Sequence, residues 1–167
     1  MIYVWIIGFS LLVTALFSAA EMSFIAANRV RLRHMAEGGH RTAIRYLEAF
    51  RSPERLLSTA MMGVTIAHIT ASTVATWALI PVVGGGAAVL VTACLTPLML
   101  VFGEVIPKAV ARERATGLIL VLFPVVETLG KVLAPLTWGA NWLVGRALAL
   151  VGRSEEHTSE LQSPIHI

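Results

Sequence analysis

The residues of this sequence with the most chemistry are carboxylates, hydroxyls and one imidazole, set inside apolar runs. Glu104 lies in Gly103-Glu104-Val105-Ile106-Pro107-Lys108. Pro107 cannot donate to a helix ladder and its ring crowds the preceding turn. A helix broken near Glu104 is therefore expected, with freed carbonyl oxygens beside a carboxylate. Interrupted helices of this kind coordinate cations in transporters. Carboxylate, hydroxyl and carbonyl oxygens suit a hard cation such as Mg²⁺. Glu21 is a second acid in an apolar run, where acids are functional suspects by default. It has a plainer reading, as a side chain that snorkels or pairs with Arg29 or Arg31. His68 has three readings: a metal ligand, a proton-sensitive gate, or a neutral imidazole bonded to a nearby hydroxyl. His34 and His40 sit in a basic segment and read as solvated.

Spacing ties these residues together. Ser10, Thr14, Ser18 and Glu21 recur at helical intervals. So do Thr65, His68, Ser72 and Thr76, and then Thr92, Thr96 and Gly103, with Glu104 next. Intervals of three or four residues fall on one helix face. A single Ser or Thr commonly bonds back to its own backbone or glues two helices together. Three aligned stripes, two of them ending near a carboxylate, predict a shared polar cavity.

The elements that position these stripes follow from composition. The chain has 56% hydrophobic and 14% charged residues, with a mean hydropathy of +0.76. Soluble domains carry roughly a quarter charged residues, so the expected fold is an all-α membrane protein. Spans of about 20 apolar residues fit 2–27, 56–80 and 87–104, with a Pro/Gly turn at Pro81–Gly86 between the last two. Residues 28–55 carry seven arginines against three glutamates, broken at Gly38-Gly39, and read as two amphipathic surface helices. The positive-inside rule puts them and Lys108 in the cytoplasm and the N-terminus outside. The run 105–152 completes a juxtamembrane belt. Within it, Thr116–Gly152 carries Pro124, Glu127, Lys131 and Pro135, and is expected as a broken, re-entrant pair in preference to a fourth span.

Several classes are disfavoured. Cys94 is the only cysteine, so no disulfide framework or Cys-based metal cluster exists within the chain. The pI of 9.6 reflects loop arginines and does not point to nucleic acid. The chain contains no HExxH, GxSxG, Walker loop or GxGxxG, so an enzyme is not expected.

Three segments resemble the CorC/CNNM family, whose membrane module is also called DUF21: Ser18-Ala-Ala-Glu21-Met-Ser-Phe, Asn28-Arg-Val-Arg-Leu-Arg-His-Met-Ala-Glu-Gly-Gly, and Phe102-Gly-Glu-Val-Ile-Pro-Lys108. The likeness covers nearly all of residues 1–152. It implies a homodimer in the bacterial inner membrane, with three spans per subunit in a lipid bilayer. It also implies export of Mg²⁺, with Co²⁺ as a second cargo and Na⁺ as coupling ion, and a cytoplasmic CBS module beyond this domain. Carried over by motif, the ion ligands are Glu104, Ser18 and the Thr65/His68 region, with Glu21, Gly103, Pro107 and Lys108 supporting or gating. One departure stands out: the second span reads Gly63-Val-Thr-Ile-Ala-His68, where many relatives carry asparagine. A histidine nitrogen suits softer transition metals better than Mg²⁺. The alternative function is a membrane-anchored sensor of ions or nucleotide that moves no ion.

The tail Arg153–Ile167 breaks every upstream pattern. Its RSEEHTSELQS resembles a translated sequencing adapter read through in frame, so residues 153–167 are expected to be foreign or disordered and the natural protein to continue past Gly152. Without Arg153, Glu155, Glu156 and Glu160, twelve basic and seven acidic residues remain, a net charge of +5 in place of +3.

Overall fold

In a bilayer every backbone polar group must be satisfied within the protein, which leaves helices as the way to build with runs this apolar. The computed structural model describes residues 1–152, and the chain there is helical with no strand among the described residues. The expected tail lies outside them. Three helical stretches are long and apolar enough to cross a membrane: Ile2–Ala26, Pro53–Glu113, and Ala115–Leu136. The second folds back on itself at Gly84–Gly86 and so has two arms. The chain is an all-α membrane protein.

Helix α1 (Ile2–Ala26) is the central element, and Ala27 leaves it in an extended conformation. The basic segment then forms α2 (Arg29–Glu37) and α3 (Arg41–Ala49). Their boundaries are chemical. The Asn28 carboxamide accepts from Arg31 N at 3.0 Å, an N-cap that satisfies one orphan donor. Gly39, at φ +84°, turns the chain as only glycine does cheaply. His40, exposed as expected, also caps α3, its Nδ1 accepting from Ala43 N at 3.4 Å.

Helix α4 (Pro53–Val83) starts with proline in its first turn and runs through Pro81. The turn is shorter than expected. It is a 3₁₀ run of three glycines, Gly84–Gly86, opened by Gly84 at φ +65°. Proline inside a membrane helix is tolerated because neighbouring groups re-satisfy the freed carbonyl, so the positive φ at glycine ends the helix. Helix α5 (Ala87–Leu98) returns along α4.

The break expected near Glu104 takes another form. Residues Met99–Val105 are π-helical and lead directly into α6 (Ile106–Glu113), with Pro107 in its first turn. The Ile106 N–H donates to Val101 O, five residues back. Lengthening the ladder just ahead of a residue that cannot donate keeps the helix continuous. Such π segments gather at functional sites.

Residues 116–152 also differ from the expected broken pair. They form one helix, α7 (Ala115–Gly152), with Pro124 and Pro135 inside it. One of the charges that argued for an interruption finds a partner instead. Glu127 pairs with Arg45 of α3, 82 positions away, and Asn28 N donates to Thr116 Oγ1 at 3.0 Å.

The core sits at the basic end of the bundle, where α1, α2, α3, α4 and α7 converge. Phe24 packs edge-on to Tyr46 at 5.2 Å and against Phe50 at 5.3 Å. Tyr46 also meets Phe123 of α7 at 6.2 Å. Along α4 the buried positions Gly63, Ala67, Ala71 and Ala75 recur every four residues. Small residues at this spacing let membrane helices approach closely. A Cβ on Gly63 would stand 2.4 Å from the Phe17 ring, so the aromatic ring lies flat on backbone there.

Candidate ion-binding site

The stripe on α1 points inward along its length. Ser10, Thr14 and Ser18 are buried, and Glu21 is half-buried. Thr14 Oγ1 donates to Ser10 O at 2.9 Å, the plain backbone-bonding role. Ser18 does not follow it: its hydroxyl is fully buried and has no hydrogen-bond partner.

Two contacts dock the Glu104 segment beside this stripe. A Cβ on Gly103 would sit 2.9 Å from Thr14 Cγ2, so glycine is what lets the π segment close on α1. Farther along, Lys108 Nζ lies 3.2 Å from Glu21 Oε2. Residue numbers rise together in the two contacts, 14 with 103 and 21 with 108, so α1 and α6 run parallel. Ser18 on α1 and Glu104 on the π segment both fall between these rungs. Glu21 thus pairs with Lys108, and not with Arg29 or Arg31 as its plainer reading had it. Arg29 instead covers the Phe50 ring at 3.7 Å.

The hairpin delivers the third group. His68 Nε2 on α4 lies 3.4 Å from Glu104 Oε1, both side chains about a quarter exposed. This contact makes α4 and α5 antiparallel. His68 Nε2 is buried without a hydrogen-bond partner, so the imidazole faces the carboxylate and is not tied to a neighbouring hydroxyl. Two of the groups that sequence placed in one site, His68 and Glu104, therefore meet directly, and Ser18 lies on the same flank of α1.

Thr65 stands apart from them. It is exposed, and its hydroxyl donates to Met61 O at 2.9 Å. The third stripe also departs from expectation: Thr92 and Thr96 are exposed while Gly103 is buried, and Thr92 bonds back to Ala88 O. The π segment explains this. Each residue of an α-helix turns it by about 100°, so wider turns between Thr96 and Gly103 put the two on different faces. The expected cavity lined by three stripes is thus reduced to the α1 stripe, His68 and the Glu104 segment. Sequence reading missed the Lys108–Glu21 pair, although both residues were marked separately. It also missed the small-residue seam of α4, which its four-residue spacing made visible.

Among the described residues no group of three His, Cys, Asp or Glu side chains comes together. The arrangement is one carboxylate, one imidazole nitrogen and one hydroxyl, with a Glu–Lys pair about a helical turn away. Carboxylate oxygen, imidazole nitrogen and hydroxyl oxygen are all groups that metal cations accept as ligands.

Comparison with known proteins agrees with this architecture. Residues 5–164 match the family model for the cyclin M transmembrane N-terminal domain, CNNM. The chain belongs to the CNNM family. Among curated relatives of this CNNM chain, the inner membrane protein YfjD of Escherichia coli is 31% identical over 140 residues, covering 84% of this chain and 33% of that protein. A UPF0053 protein of Haemophilus influenzae is 30% identical over 142 residues, 85% of this chain and 34% of the relative. A chloroplastic DUF21 domain-containing protein of Arabidopsis thaliana is 28% identical over 151 residues, 88% of this chain and 23% of the relative. The chain thus spans about a third of the length of the bacterial UPF0053 relatives it matches.

Proposed function

We propose that this chain is the membrane domain of a divalent-cation transporter, with Mg²⁺ as cargo and Co²⁺ as the competing one. The cation is held by Glu104 as the anionic ligand, with His68 Nε2 and the Ser18 hydroxyl beside it. The observation that carries this reading is the approach of His68 Nε2 to Glu104 Oε1 at 3.4 Å, beside Ser18 Oγ, which is buried with no hydrogen-bond partner. Burying such a group without a hydrogen bond is costly, and the exceptions in native structures ask for a reason. A transported ion that comes and goes supplies one. Thr65 is a weaker candidate, since its hydroxyl is spent on its own helix. Lys108, Gly103 and Pro107 shape the site: glycine allows the approach to α1, proline follows the π turn without a donor of its own, and lysine neutralises Glu21.

The same reading takes Na⁺ as the coupling ion, a homodimer as the working unit, and a cytoplasmic CBS module in the full-length protein. It places the domain in a bacterial inner membrane, N-terminus outside and basic helices inside. No reaction is assigned to it, and nucleic acid is not a partner. A second reading, a sensor that binds ions without moving them, is favoured by the lack of a third acid or imidazole at the site.

The test uses the full-length protein in liposomes, with an internal Mg²⁺ dye and an imposed Na⁺ gradient. Wild type is expected to move Mg²⁺ with Na⁺ dependence, and Glu104→Gln to lose at least about tenfold of that flux, the worth of one charged ligand contact. Unchanged flux in Glu104→Gln sinks the site. No flux in folded wild-type protein, with Mg²⁺ or Co²⁺, sinks transport and leaves the sensor.

A further inference from the structure

A polar cleft lies away from the Glu104 site. It occupies about 290 Å³ at the start of α4, between α3, α4 and α7, close to the lower size of ordinary ligand sites. Three cations line it: Arg45, Arg55 and Lys131. Two carboxylates line it as well, Glu48 and Glu127. Arg45 and Glu127 neutralise one another in an ion pair. Arg55 and Lys131 have no ion-pair partner among the described residues, and neither does Glu48. The cleft therefore presents two free cations against one free carboxylate, an excess of one positive charge.

We propose that this cleft binds the headgroup of an anionic glycerophospholipid. The phosphodiester sits between Arg55 and Lys131, and Glu48 accepts hydrogen bonds from headgroup hydroxyls. A single phosphodiester charge matches the excess. Two observations favour a lipid over free phosphate. The cleft opens where the basic helices meet the start of an apolar helix, the level at which headgroups lie, and basic pockets there recognise lipid phosphates. An apolar groove of about 250 Å³ follows between α1, α4 and α7, lined by Phe9 and Val13 of α1, Ile66 of α4, and Leu129 and Val132 of α7. It can take an acyl chain. The lipid would brace α7 against α4 at a close approach of the two: a Cβ on Gly130 would stand 3.2 Å from Thr59.

The experiment is native mass spectrometry of the full-length protein in detergent, titrated with phosphatidylglycerol, with phosphatidylcholine, or with inorganic phosphate. Wild type is expected to retain phosphatidylglycerol selectively. Arg55→Gln with Lys131→Gln should weaken that retention at least about tenfold, since each removes a charge-assisted contact. Arg33→Gln, exposed and outside the cleft, should not weaken it. Both cleft side chains are exposed, so the variant should fold. A wild-type arm is independent of folding: raising salt should release phosphatidylglycerol and leave phosphatidylcholine unaffected. Equal retention of both lipids, full retention by the double variant, or saturation by inorganic phosphate at the same concentration would each overturn the proposal. None of these outcomes bears on Mg²⁺ flux through the Glu104 site.

Discussion

The aromatic cluster at the basic end and the Glu104 site both pack on α1, yet they use their polar groups differently. In the cluster the phenol and the guanidinium have partners, while Ser23 Oγ beside them is buried without a hydrogen bond. Tyr46 OH donates to Phe24 O at 2.9 Å, and Arg29 lies over the Phe50 ring. Burial raises the Tyr46 phenol above its usual value, partly countered by Arg29, so Tyr46 stays a neutral donor through the physiological range. At the Glu104 site, Ser18 Oγ is buried with no hydrogen-bond partner, and His68 Nε2, also without a hydrogen bond, lies 3.4 Å from Glu104 Oε1. The first region is built to hold the fold together. The second brings a carboxylate and an imidazole together beside a buried hydroxyl, a set of donors that the cluster lacks.

That contrast is sharpest for Phe24, which is nearly fully buried and touches both Tyr46 and Phe50. Phe24→Ala should cost about 3–5 kcal/mol of stability. Thermal unfolding of the full-length protein in detergent measures it, as a large fall in midpoint. Protein that still folds should keep its flux per molecule, because Phe24 lies beyond the Glu21–Lys108 rung. Loss of flux in folded protein would join the two regions and break the comparison.

A smaller effect is expected at Tyr46. Tyr46→Phe keeps the ring contacts and removes the donor to Phe24 O, so about 1 kcal/mol should be lost. The same unfolding assay reads it. No change would mean that the carbonyl finds another donor, and that the cluster is held by packing alone.

Much of this contrast was legible in the sequence, and the rest was not for physical reasons. The stripe Ser10, Thr14, Ser18 and Glu21 is a local pattern on one straight helix, and period alone located it. The His68–Glu104 contact was nearly legible. Reflection about the turn at Gly85 sets His68 opposite residue 102, and the extra residues of the π segment account for the offset to 104. The π segment itself leaves no periodic mark. A proline signals only that the ladder must change, and not whether the helix breaks or widens. Helix α7 was misread because Glu127 and Lys131 look like interruptions until Arg45 and the cleft beside it are brought up by the fold. Charges satisfied across 82 positions cannot be recognised as satisfied from local sequence. The departure of Thr92 and Thr96 from the site has the same root, since extrapolating an α period through a π segment puts the wrong face inward.

The smallest expected change in stability carries the most weight for the comparison, because its sign is the test. In a core built for stability, removing a buried hydroxyl costs free energy through the hydrogen bond it made. Ser18 makes none. Ser18→Ala therefore removes a group whose desolvation is uncompensated and leaves a gap no larger than one oxygen atom. Stability should be unchanged or slightly raised, while Mg²⁺ flux falls. Thr14→Val is the matched control. It removes a hydroxyl that is equally buried but bonded to Ser10 O, so a loss of up to about 1 kcal/mol is expected. Opposite signs at two positions one turn apart would show that α1 changes purpose between Thr14 and Ser18. A stability loss at Ser18 matching that at Thr14, with flux intact, would mean that the Ser18 hydroxyl is a structural group and that the ion is held by Glu104 and His68 without it.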